Sequence, residues 1–86
     1  MTEANLELLG QTIRMFRERA QPKKISQFRL ATLMQWEGTA PIVAIEKGKR
    51  RPRPETLNSL GEVLQLSPAD IAYLHGLAGY RPITVM

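Results

Sequence analysis

The sequence predicts an all-α fold: a compact bundle of five helices in one domain. Three observations predict it. Apolar residues recur at steps of three and four along most of the chain. Serine and proline stand where helices would begin, and glycine where they would end. At 86 residues the chain has room for one small core, the amount that four or five helices bury.

The first helix is expected over Thr2–Ala20, where Leu6, Leu9, Ile13, Phe16 and Ala20 form one apolar stripe. Gly10 costs this helix roughly 1 kcal/mol relative to alanine, so its start is expected to fray and residues 1–5 to form a mobile arm. Pro22 stops the helix, and residues 21–25 (QPKKI) form a linker. Its Lys23 and Lys24 either extend a basic face or are simply solvated.

Ser26 caps a second helix over Gln27–Met34, with Leu30, Ala31, Leu33 and Met34 at helical spacing. Gly38 is expected to supply the positive φ of the following turn. The third helix is expected over Thr39–Lys47. Thr39 is its cap, Pro41 lies in the first turn where a missing N–H costs nothing, and Ile42 and Ile45 face one way. Gly48 ends it. Residues 51–54 (RPRP) are extended, and Pro54 opens a fourth helix that runs to Leu66 with Leu57, Leu60, Val63 and Leu64 on one face. Ser67-Pro68-Ala69-Asp70 is a helix start: serine cap, proline first, acid third. The fifth helix carries Ile71, Leu74, Leu77 and Ala78, and Gly79 stops it. Phe16 and Phe28 are expected in or near the core, Trp36 under the second helix, and His75 on the surface or satisfied by a neighbour.

Composition excludes several classes of chemistry. With no cysteine there is no disulfide, thiol nucleophile or thiolate metal site, and a single histidine completes no metal set of familiar spacing. No phosphate-cradling glycine loop, nucleophile–base–acid set or HExxH motif is present, so neither an enzyme nor a cofactor is expected. No apolar run approaches the roughly 20 residues of a membrane span. The acidic start lacks the features of a signal peptide, and a cytoplasmic location is expected.

The formal net charge is +4, and its placement matters more than its size. Lys47, Lys49, Arg50, Arg51 and Arg53 follow one another within a short segment, which suits phosphate contact. Directly before this segment stand two short helices joined by a turn. That is a helix-turn-helix arrangement, whose second helix would enter the major groove of double-stranded DNA.

Ser26, Gln27, Leu30 and Ala31 (SQ–LA), followed by Ile45–Leu57 (IEKGKRRPRPETL), resemble the helix-turn-helix regulators of Cro and phage-repressor type, also called the xenobiotic-response-element family. The resemblance spans roughly Leu9 to Tyr80. It implies a lambda-repressor-like DNA-binding domain and a transcriptional regulator. By residue, it implies an ion pair between Arg17 and Glu46, a phosphate contact at Gln27, and base-facing positions at Thr39, Ala40, Val43 and Ala44. It also implies a homodimer on paired half-sites, and in this chain the last helix and the 80–86 tail are expected to form the dimer surface. The segment LSPADIAYLHGLAGYRP resembles the end of repressor-like domains that lead into a further domain, and a small-molecule effector is expected only with such a domain. The base-facing positions depart from the usual pattern, because none is Arg, Gln or Asn. Specificity would then rest on apolar contact, DNA shape or a cation reaching inward. An apolar recognition helix also suits a protein partner, so an antitoxin-like interaction module is the alternative.

Overall fold

Five helices form the framework of residues 4–80, which the computed structural model describes. They are α1 (Leu6–Glu18), α2 (Gln27–Leu33), α3 (Ala40–Glu46), α4 (Pro54–Val63) and α5 (Pro68–Leu77), and no strand occurs among the described residues. Each helix contributes its apolar stripe to one core. Leu9 and Ile13 come from α1, Leu30 and Ala31 from α2, Ile42 and Ile45 from α3, Leu57 and Leu60 from α4, and Leu74 from α5. Leu64 and Ala78, just past α4 and α5, complete it. Burial of each large aliphatic side chain stabilises by about 1.5–3 kcal/mol, which is what holds such short helices in place. α1 packs on α3 and α5, α4 on α5, and α2 on α3. No helix among the described residues is long and apolar enough to cross a membrane.

Helix starts follow local chemistry. Ser26 accepts from the Arg29 N–H at 3.0 Å, and Ser67 from the Asp70 N–H at 3.1 Å. Pro54 and Pro68 open their helices at the first position. α1 begins with the stripe, at Leu6, rather than at Thr2: Asn5 caps it, accepting from the Leu8 N–H. The Asn5 N–H in turn donates to the Leu77 carbonyl at 2.7 Å, so residue 5 is tied to α5 rather than part of a free arm. Residues 1–3 and 81–86, where the rest of the expected arm and tail fall, lie outside the described residues.

Helix ends depart from expectation in an instructive way. Four ends share one geometry, in which the N–H two positions past the C-cap bonds back into the last turn: Trp36 to Ala31, Lys49 to Ala44, Leu66 to Gly61 and Tyr80 to His75. The left-handed residue this needs is glycine at Gly48 (φ 75°) and Gly79 (φ 87°), but glutamine at Gln35 (φ 61°) and Gln65 (φ 56°). Gly38 therefore does not carry the positive φ of the turn after α2, and α4 ends at Val63, short of Leu66. Thr39 holds the N-cap position of α3, yet its side chain makes no capping hydrogen bond. Phe28 is a further correction: it is 74% exposed, because Leu30 and Ala31 define the buried face of α2 and Phe28 points away from it.

Candidate nucleic-acid interface

Ile42 and Ile45 point α3 inward, and this sets what the helix shows outside. Ala40 is exposed, and Thr39, Val43 and Ala44 are half-buried at the rim of the same helix. The four residues expected to face bases thus lie on or beside the outer side of α3, and none is enclosed in the core.

The carboxyl end of α3 is held from below by ionic contacts. Arg17 of α1 meets Glu46 with two bonds, Nε to Oε2 at 2.8 Å and a terminal nitrogen to Oε1 at 3.0 Å. Its other terminal nitrogen donates to the Ile25 carbonyl at 2.9 Å, which fastens the linker to the same node. The side chains of Arg17 and Glu46 keep only 10% and 6% of their exposure, so the pair is sheltered from water and rigid. Gln27 joins it, donating from Nε2 to Glu46 Oε1 at 3.1 Å. One amide hydrogen of Gln27 therefore points at protein rather than at a phosphate.

Gly10 completes the seat of α3. A Cβ at this position would fall against the Glu46 carbonyl oxygen and 2.5 Å from that of Ile45. α1 and α3 approach so closely only because residue 10 has no side chain. The sequence marked Gly10 as a weak point in a helix; the structure makes it a contact point between two.

Beyond α3 the basic segment divides. Lys47, Lys49, Arg50 and Arg53 are exposed, and among the described residues none of their side chains makes a hydrogen bond or ion pair. Arg51 differs. Its Nε donates to the Ala78 carbonyl at 2.7 Å, and its guanidinium carbon lies 4.2 Å from the centre of the Tyr80 ring. Sequence reasoning placed all five on phosphates and missed this partner, since Ala78 and Tyr80 lie at the far end of the chain. His75, expected on the surface or satisfied by a neighbour, is buried with its Nε2 2.8 Å from Asn58 Oδ1, a partner the sequence did not point to. Lys23 and Lys24 are exposed and line an open groove of about 1410 Å³ together with Phe16, Leu33 and Val63. Among the described residues no cluster of side chains could hold a metal ion.

A family model described as a helix-turn-helix domain matches residues 8–74. The chain belongs to the helix-turn-helix family. Its match takes in α1 through most of α5, and with it the Arg17–Glu46 node, α3 and the basic segment. No curated protein sequence matches. Among solved structures, the clp gene regulator ClgR from Corynebacterium glutamicum is similar in two crystal structures. Both give a TM-score of 0.69 at 25% identity over 92% of this chain, and cover 94% and 78% of those chains. The restriction-modification controller protein C.AhdI from Aeromonas hydrophila shares the fold, with a TM-score of 0.67 at 24% identity over 78% of this chain and 91% of that one. The family is one of DNA-binding transcription regulators, in keeping with the resemblance to Cro and phage repressors.

Proposed function

We propose that this helix-turn-helix protein binds specific sites on double-stranded DNA as a transcriptional regulator. In this reading α3 enters the major groove with Thr39, Ala40, Val43 and Ala44 toward the bases. Lys47, Lys49, Arg50 and Arg53 contact phosphates on either side, and Gln27 adds its remaining amide hydrogen at the start of α2. The observation that supports this most is the outward side of α3 followed directly by Lys47, Lys49, Arg50 and Arg53, all exposed and without a side-chain partner among the described residues. Two copies act on paired half-sites, with the exposed face of α5 around Tyr73 as the surface between them.

The apolar character of the base-facing side chains gives the reading its particular form. Alanine and valine pack on thymine methyl groups but cannot make the paired hydrogen bonds that read guanine or adenine. Sequence discrimination therefore comes from methyl contact, the Thr39 hydroxyl and the shape of the site.

Selection from a random duplex pool, read by fluorescence anisotropy at two salt concentrations, tests this. Enrichment of a two-fold-symmetric site, with affinity abolished when Lys49 and Arg50 are replaced by alanine, is the expected result. Uniform weak binding that disappears at moderate salt overturns sequence specificity. Binding that is insensitive to salt and confined to a protein partner would favour the antitoxin-like alternative, which the exposed Phe28 on α2 also suits.

A further inference from the structure

The loop of residues 49–53 carries Lys49, Arg50 and Arg53, whose side chains make no hydrogen bond or ion pair among the described residues, and it has no helical backbone of its own. What fixes it comes from the other end of the chain. Arg51 donates to the Ala78 carbonyl, at the carboxyl end of α5, where backbone oxygens lack helical partners and a positive charge is favoured. The same guanidinium stacks on Tyr80. Tyr80 closes the ring by donating its hydroxyl to the Pro52 carbonyl at 2.9 Å. Tyr80 is itself held, through its N–H on the His75 carbonyl at 2.9 Å and an edge contact with the His75 ring, centres 6.2 Å apart.

We infer that Arg51 and Tyr80 are positioning residues for DNA binding: they clasp the phosphate-contacting loop to the end of α5 and make its geometry depend on that end. The inference rests on the DNA-binding reading above. In the clasped loop Arg51 touches no phosphate. Its neighbours Lys49, Arg50 and Arg53 do, and the clasp holds their backbone in register. A loop released from the clasp must be ordered at the moment of binding, so affinity falls by the fraction of time the loop is correctly placed. Whatever displaces the end of α5 would weaken DNA binding without touching DNA.

Salt dependence separates a positioning residue from one that grips DNA. Removing a cation that neutralises a phosphate makes the slope of log affinity against log salt shallower by about 0.9, because fewer counterions are released on binding. The experiment measures binding of the whole chain to a labelled mixed-sequence duplex across a salt series. It compares Arg51→Ala, Arg51→Lys, Tyr80→Ala, Tyr80→Phe and Arg50→Ala, each first checked by circular dichroism. Arg51→Ala, Arg51→Lys and Tyr80→Ala are expected to weaken binding about tenfold with an unchanged slope, in keeping with the removal of one charge-assisted hydrogen bond and a ring stack. Tyr80→Phe, which keeps the ring, weakens binding less. Arg50→Ala makes the slope shallower.

NMR relaxation of the free protein supplies a readout that needs no DNA: the backbone order parameters of residues 50, 51 and 53 fall in Tyr80→Ala. If Arg51→Ala makes the slope shallower as Arg50→Ala does, and lysine restores affinity, Arg51 is a phosphate ligand and the inference fails. Unchanged order parameters in Tyr80→Ala overturn the clasp whether or not the duplex binds. A wild-type chain that does not bind, with the loop order parameters still lowered in Tyr80→Ala, removes the DNA-binding reading and the positioning role with it, but leaves the clasp.

Discussion

Replacing Glu46 by alanine leaves the Arg17 guanidinium without a counter-charge beneath α3 and frees the amide of Gln27. A buried charge stranded in this way costs about 3–5 kcal/mol, so Glu46→Ala is expected to lower the unfolding free energy by that amount in urea titration. A loss below about 1 kcal/mol would mean the pair is solvated, as surface pairs are. Gly10→Ala acts on the same seat through shape alone. Helix propensity favours alanine by roughly 1 kcal/mol, but the added methyl meets backbone oxygens that cannot rotate away. Overpacking of this kind costs about 1–3 kcal/mol, so the net effect is a lower melting temperature. A higher one would show that α1 can retreat from α3 freely. The ion pair was readable from motif resemblance. The purpose of Gly10 was not, because the atoms it makes room for belong to residues 45 and 46.

Among the helices, beginnings were more legible than ends, for a physical reason. A beginning depends on residues within three positions: serine hydroxyls at Ser26 and Ser67 and prolines at Pro54 and Pro68 satisfy or dispense with N–H groups close by. An end of the kind seen here needs one left-handed residue, and glycine is only the least costly way to supply it. Gln35 and Gln65 adopt φ of 61° and 56° because core residues on both sides dictate the path: Leu30, Ala31 and half-buried Trp36 around one, Leu60, Leu64 and half-buried Leu66 around the other. An L-residue there carries strain of about 1–2 kcal/mol. Gln65→Gly relieves it at the expense of a looser unfolded chain, so a gain of up to about 1 kcal/mol is expected in thermal melts. Among the described residues Gln65 makes no hydrogen bond to α3 or to the basic segment, and DNA affinity should not change. If glycine destabilises, the glutamine side chain makes a contribution that its exposed position does not suggest.

For the molecule as a whole, the division of the basic segment changes what salt should do to binding. Five cations on phosphates would give a slope of log affinity against log salt of about −4.5 for each subunit. With Arg51 turned toward Ala78 and Tyr80, four remain in Lys47, Lys49, Arg50 and Arg53, and the limit falls to about −3.6. Two subunits acting together on paired half-sites would approach twice that value, so the slope reports assembly as well as contact. In the proposed binding mode the apolar outer side of α3 would add little to this charge-driven part and would supply discrimination by methyl contact and shape, at about 1–3 kcal/mol for each mismatched pair. The expected pattern is therefore a steep slope on any duplex and a modest preference among duplexes, which grows as salt rises because non-specific binding depends most on counterion release. A titration on a selected site and on a scrambled one, each over the same salt range, measures both quantities. A slope shallower than about −2 on the selected site would mean that most of the four cations face water in the complex, and that the outer side of α3 binds something other than a duplex.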